Sequence, residues 1–201
     1  MNPQLQPAND VAPVKVGPGA LVLVVGPSGA GKDTLIRLAR DRLAGDPDVV
    51  FPRRLITREP DGTEENDAVS PARFELLVGL GRTALHWQAH GLGYAVPDSA
   101  DDAVADGKVV VVNVSRRIVP AALAKYARVV VVLVTAPVDV LADRLAARGR
   151  EDRASILERL QRAADPLPAA PSVVVIQNVG PPEIAAERLV EVVRELAAQR
   201  T

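Results

Sequence analysis

The run Gly26-Pro27-Ser28-Gly29-Ala30-Gly31-Lys32-Asp33-Thr34 has the residue types needed to hold a polyphosphate. Its glycines let the backbone turn so that successive N–H groups converge on one point. Lys32 adds a full positive charge that reaches β- and γ-phosphates. The spacing G-x-x-x-x-G-K carries this meaning only between a strand and a helix. Both are predicted here. Ala20–Val25 is a continuous apolar run, and Leu35, Leu38, Ala39 and Leu43 recur at helical period. The helix start contributes unpaired amides and the positive end of its dipole. The bland reading, a glycine-rich turn with a solvated lysine, leaves this combination without a reason. The loop is read as a site for a nucleoside triphosphate.

Asp33 stands where such loops carry Ser or Thr, whose hydroxyl touches Mg2+. An anion beside a triphosphate repels it unless a metal lies between. Asp33 therefore either holds Mg2+, directly or through water, with Thr34 taking part of the task, or only favours the first helical turn.

Arginines supply the next group. Arg53, Arg54, Arg58 and Arg73 offer forks suited to bidentate phosphate recognition. Strand alternation puts Arg53 and Arg54 on opposite faces, so one of the two is expected to reach a substrate. The other reading leaves them as surface arginines. His86 and His90 flank Trp87 in an apolar stretch, where a histidine is either a hydrogen-bonded structural residue or an acceptor contact. A phosphate acceptor needs neither as a base, because its second pKa lies near about 6 and it arrives largely dianionic.

These groups need elements to position them. Ala20–Val25 is expected as a strand buried on both faces, followed by a helix over Leu35–Ala44 that stops at Gly45. Val49–Thr57 reads as a second strand. Ser70 can cap a helix with Pro71 in its first turn and Phe74, Leu77 and Val78 inward. Thr83–His90 reads as a strand, and Gly91, Gly93 and Pro97 as punctuating a loop. Ser99–Asp106 and Arg116–Lys125 read as helices, as do Val138–Ala147 and Glu151–Ala164. Val109–Val114, Val129–Val134 and Val173–Ile176 read as strands. Ile184, Leu189, Val192, Val193 and Leu196 mark the inner face of a terminal helix. Alternating strands and helices make this an α/β chain with a central parallel sheet. The expected division is a flexible tail over 1–19 and one domain over 20–201. Within it lie a core (20–56 and 99–199), a small insertion at about 57–98 and a segment over 148–162.

Composition narrows the function. The 201 residues suffice for one buried core, and with aromatics at 2% that core must be aliphatic. A formal net charge of −1 gives no general attraction to nucleic acid or to an anionic membrane, so anion binding must be local. The chain has no cysteine, which excludes disulfides and thiolate chemistry. No apolar run spans a bilayer, the first residues are polar and proline-rich, and the protein is expected in the cytoplasm. Oligomeric state is not readable.

The loop 26–34, the pair Thr57-Arg58, the segment ending at Tyr94 and Arg144-Leu145-Ala146-Ala147-Arg148-Gly149 resemble the guanylate-kinase-like nucleoside-monophosphate kinases. Arg159 and Asn178 follow at corresponding distances. A closer resemblance is to the ribose 1,5-bisphosphate phosphokinases, carried by residues 26–33, Arg-Arg-Leu-Ile-Thr-Arg at 53–58 and Leu-His-Trp-Gln-Ala-His-Gly-Leu-Gly-Tyr at 85–94. The resemblance implies a P-loop kinase that uses ATP and Mg2+ on a small phosphorylated ribose. Its product would be 5-phospho-alpha-D-ribose 1-diphosphate, formed in phosphonate breakdown. It implies that residues 148–162 form a lid whose Arg148 and Arg159 screen the transferring group; the alternative is an amphipathic surface helix. It further implies acceptor contacts from Arg54, Thr57, Arg58, Arg73, His86 and Tyr94, and adenine contacts from Arg144 and Asn178. His86 stands at the place of a guanine-reading Glu, and Asn113 or Ser115 at that of a second carboxylate. The alternatives are a guanylate or other nucleotide kinase and a non-catalytic binding module.

Overall fold

The computed structural model describes residues 14–58, 66–89, 91–147, 156 and 166–199. At its centre lies strand β1 (Ala20–Val25), every residue of which is fully buried. Alternation sends its side chains into two cores. Ala20, Val22 and Val24 pack with helices α1 (Lys32–Arg42) and α6 (Pro182–Ala198). Leu21, Leu23 and Val25 pack with α3 (Ser99–Ala105) and α4 (Val119–Lys125). Full burial of one such side chain stabilises by about 1.5–3 kcal/mol. Beside β1 run β7 (Val109–Asn113) and β8 (Val129–Thr135), flanked by β2 (Val49–Val50) and β9 (Val173–Gln177). The order is β2-β7-β1-β8-β9, and every pairing is parallel. The expected α/β architecture is observed.

The strand expected over Val49–Thr57 is two strands. Pro52 lacks an N–H for a ladder, and the chain leaves the core sheet after Val50. It resumes as β3 (Arg54–Ile56) in a second sheet with β4 (Asn66–Ala68), β5 (Thr83–Ala89) and β6 (Leu92–Pro97), in the order β4-β3-β6-β5. The stretch read as a punctuated loop is thus β6, paired antiparallel with β3 and β5. Gly93 serves packing. A Cβ there would lie 2.8 Å from Phe74 Cε1, so its absence lets helix α2 (Pro71–Gly79) lie on the sheet. The Ser70 hydroxyl caps α2 as expected, accepting from the Arg73 amide at 3.2 Å.

Three further readings change. Residues 14–19 are tied to the core, with the Val16 amide donating to Lys125 O and the Gly19 amide to Val104 O, both at 2.9 Å. The region 116–125 opens with a 3-10 turn (Arg116–Ile118) before α4 begins. Ile184 is 71% exposed, on the face of α6 turned away from the core, whereas Ala185, Ala186, Leu189, Val192 and Val193 are buried. Helix α5 (Val138–Ala146) packs with the buried Ile156. Residues 1–13, His90 and 157–165 lie outside the described residues, as does 148–155. Among the described residues, no helix is long and apolar enough to cross a membrane.

One polar joint ties the second sheet to the core. Lys125 donates to the Ala84 carbonyl at 2.8 Å and pairs with Asp101 at 2.7 Å. The other Asp101 oxygen accepts from the hydroxyl of buried Tyr126. Burial, and then Asp101, push the Tyr126 phenol above its ordinary value of 10.0. A raised folded value means the stabilisation is fully present below about pH 10 and is lost as pH rises beyond it, because the unfolded phenol ionises first. Tyr126→Phe should lower unfolding free energy by about 1–2 kcal/mol at neutral pH. Urea midpoints should then show a shallower alkaline decline than the parent; equal slopes would count against the joint.

Candidate functional site

The phosphate loop is gripped by backbone proximity. Gly26 leaves β1 with φ 150°, and a Cβ there would lie 2.1 Å from the Val134 carbonyl oxygen of β8. Gly31, just before α1, has φ 88°, and a Cβ there would lie 2.4 Å from Asn178 Nδ2. Asn178 is buried just past β9. Its side-chain amide donates to Ala30 O at 2.8 Å, and its main-chain amide donates to Thr135 O at 2.8 Å. Its Oδ1 is buried with no partner among the described residues. From the third side, α5 packs Leu145 near the Cα of Gly29. The neighbouring Arg144 buries Nη1 with no hydrogen-bond partner among the described residues. Lys32 folds back over the loop, donating to the Gly26 and Pro27 carbonyls at 3.0 Å. Ser28 and Thr34 are exposed.

Beside the loop, Asp33 meets two partners. Its Oδ1 accepts from Asn113 Nδ2 at 2.7 Å and lies 3.6 Å from Arg54 Nη2. The Arg54 side chain is only 11% exposed. It also donates to the Asn113 carbonyl and to Asn66 Oδ1, each at 3.2 Å. A cleft of about 140 Å3 opens here, lined by Asp33, Thr34, Arg37, Arg40, Arg53 and Arg54 among others. Four arginines and one carboxylate make its lining strongly cationic, the field a phosphorylated ligand needs.

Strand pairing decides which insertion residues face this cleft. Directly paired residues share a face. Ile56 opposes Tyr94, and Tyr94 opposes Trp87, so Arg54, Ile56, Tyr94 and Trp87 share the face turned to the core. Trp87 and Tyr94 stack with centroids 5.4 Å apart and planes within 6°. His86 opposes Ala95, which opposes Leu55, and thus lies on the other face. It is exposed, with Nδ1 3.3 Å from Thr83 Oγ1. The sequence reading grouped His86 with Tyr94; strand alternation separates them. Arg53 borders the same cleft as Arg54 but has a different partner, pairing with Asp67 at 2.7 Å. Thr57 is occupied with backbone, its hydroxyl accepting from the Gly93 amide at 2.8 Å. Arg58 follows half-buried, and Arg73 is exposed in the first turn of α2. Arg148 and Arg159 lie outside the described residues.

Sequence reading missed Arg37, Arg40 and the pairing role of Asn113. The first two were legible as the i+4 and i+7 neighbours of Asp33 on one helix face. Asn113 was legible as the end of the strand beside β1, where Val24 pairs with it. A second opening beside Gly26 and Pro27 is lined by Ser115, Arg116 and Arg117.

The chain is 51% identical over 179 residues to the ribose 1,5-bisphosphate phosphokinase PhnN of Rhodopseudomonas palustris, covering 89% of this chain and 90% of that protein. It is 53% identical over 173 residues to the protein of the same name from Methylobacterium radiotolerans, covering 86% and 96%. Among solved structures, a guanylate kinase from Anaplasma phagocytophilum superposes with TM-score 0.59 at 18% identity, covering 93% of this chain and 88% of that one. At that identity the likeness concerns the fold alone. No protein-family model matches the chain.

Gly31→Ala should weaken ATP binding at least about tenfold, since the side chain meets Asn178 in a left-handed conformation that costs about 1–3 kcal/mol. Calorimetric titration checks it, with circular dichroism to establish that the fold survives. Unchanged affinity would mean that the loop does not hold the nucleotide.

Proposed function

The chain belongs to the ribose 1,5-bisphosphate phosphokinase family, and from that premise we propose that it transfers the γ-phosphoryl group of ATP to ribose 1,5-bisphosphate, yielding ADP and 5-phospho-alpha-D-ribose 1-diphosphate in the cytoplasm. The observation that carries this reading is the cationic cleft at the head of α1, where Arg54 is almost fully desolvated. A desolvated guanidinium binds a phosphate far more strongly than one in water.

The 1-phosphate of the sugar is the nucleophile. It arrives ionised, so no general base is required, and the protein's work is positioning and charge stabilisation. The loop amides and Lys32 hold the ATP phosphates. Arg54 and Arg58 orient the acceptor, with Arg37 and Arg40 adding attraction at the cleft mouth. Arg148 and Arg159 are assigned the charge stabilisation of the transferring group. Arg144 and Asn178 border the adenine end.

Mg2+, when bound, neutralises charge on the β- and γ-phosphates. What supports its place here is the chemistry of the donors. Both contacts of Asp33 use Oδ1, its side chain is 44% exposed, and Thr34 adds a hydroxyl in the same turn. Among the described residues there is no group of three or more acidic, His or Cys side chains fit for a metal. That suits Mg2+, which takes one or two carboxylates and completes its shell with phosphates and water.

A purine acceptor would need a carboxylate free to read its N–H groups. Asp33 is the one carboxylate among the described residues lining the cleft, and it is engaged beside the loop. A non-catalytic module is disfavoured by the complete loop with Lys32.

A coupled ADP-release assay with ribose 1,5-bisphosphate, GMP and AMP side by side should give turnover with the sugar alone; release with GMP alone rejects the assignment. Arg54→Ala should lower kcat/KM for the sugar by about 10²–10³-fold, as loss of comparable preorganised charge does, with a much smaller change in ATP affinity. A loss confined to ATP binding would place Arg54 on the wrong substrate.

A further inference from the structure

Phosphate loops usually place a neutral hydroxyl after the lysine and the metal's carboxylate at the end of a neighbouring strand. In this chain the two are exchanged. The carboxylate, Asp33, follows Lys32, and a neutral residue, Asn113, ends β7, the strand hydrogen-bonded beside β1. The two side chains touch, Asn113 Nδ2 donating to Asp33 Oδ1 at 2.7 Å.

We infer that Asn113 is a positioning residue which fixes the Asp33 carboxylate toward the nucleotide's divalent cation, the pair forming a charge-exchanged version of the usual hydroxyl–carboxylate arrangement. This rests on the reading of Asp33 as a metal ligand.

The side chain of Asn113 has little freedom. The residue is 8% exposed, its backbone belongs to the parallel sheet, and its carbonyl accepts from Arg54 at 3.2 Å. Its amide therefore holds Asp33 Oδ1 in a set direction, and Asp33 lines the cleft. Without that hold the carboxylate would be left to the Arg54 guanidinium alone, which already lies 3.6 Å from Oδ1. Asn is also the type the position needs. It donates where Asp would put a second negative charge against Asp33, and the cleft then holds a single carboxylate opposite its arginines.

The test uses the full chain and Mn2+ with saturating ADP, reading bound metal by the electron paramagnetic resonance of free Mn2+ alongside thermal melting. Asp33→Ser should weaken Mn2+ binding by about tenfold or more, and Asn113→Ala by a similar factor, as loss of groups that orient metal ligands does. The double variant Asp33→Ser with Asn113→Asp restores the usual arrangement and should recover Mn2+ affinity to within about threefold of the parent. If Asp33→Ser loses the metal but the double variant does not recover it, the exchange is refuted while the metal role of Asp33 stands. If the double variant does not fold, Asn113→Ala decides: a lowered melting temperature with unchanged Mn2+ affinity makes Asn113 merely structural and overturns the inference. Unchanged Mn2+ binding in Asp33→Ser removes the parent reading and this one with it.

Discussion

The site depends on a backbone that comes closer to its neighbours than any side chain permits. At Gly26 the chain lies against β8, and at Gly31 it lies against Asn178. The loop is thereby held from behind, by the sheet and by the residue just past β9. Its amides are left to a ligand in front. The buried valines of β1 and β8 belong to the same constraint, because a sheet that shifted would carry the loop's floor with it. Close packing thus reaches from the aliphatic interior to the phosphate cradle without an intervening flexible segment.

Charge is distributed around that cradle with little redundancy. Arg54 is drawn out of water by its place on β3 and satisfied by three oxygen-bearing neighbours: Asn66, the Asn113 carbonyl and Asp33. Asn113 faces both ways, its carbonyl toward Arg54 and its amide toward Asp33. The arginine-lined cleft and the head of α1 therefore share one residue of the core sheet. A protein that joins two polyanions needs such an arrangement, since each bound phosphate raises the cost of bringing the other unless cations stand between.

The core was legible because its signals are local. A six-residue apolar run ending in a glycine loop admits few readings, and the valine-rich strands β7 and β8 show the continuous pattern of parallel pairing. The second sheet was less legible because its strands are short and its decisive residues are exceptions. Pro52 ends β2 by removing a donor, which a propensity reading of Val49–Thr57 passes over. Gly93 lies within β6 because Phe74 needs its space, whereas in sequence it looks like a loop. His86 and Tyr94 sit in different strands, and their relative faces depend on a register that only the pairing reveals. Arg53 and Arg54 differ in partner, Asp67 for the first and Asn66 with Asn113 for the second, although both border the cleft. The contact between Asp33 and Asn113 spans eighty positions, and only the place of Asn113 at the end of the strand beside β1 hints at it.

The stacked pair on the cleft-facing side of the second sheet has an optical consequence. The chain contains one tryptophan, and its indole lies flat against the Tyr94 ring, half-exposed, on the face that also carries Arg54. Red-edge excitation therefore isolates a single emitter on the Arg54-bearing face of the second sheet. Any change in solvent contact or in the stacking geometry is written into its spectrum. The fold carries its own unlabelled fluorophore on the second sheet.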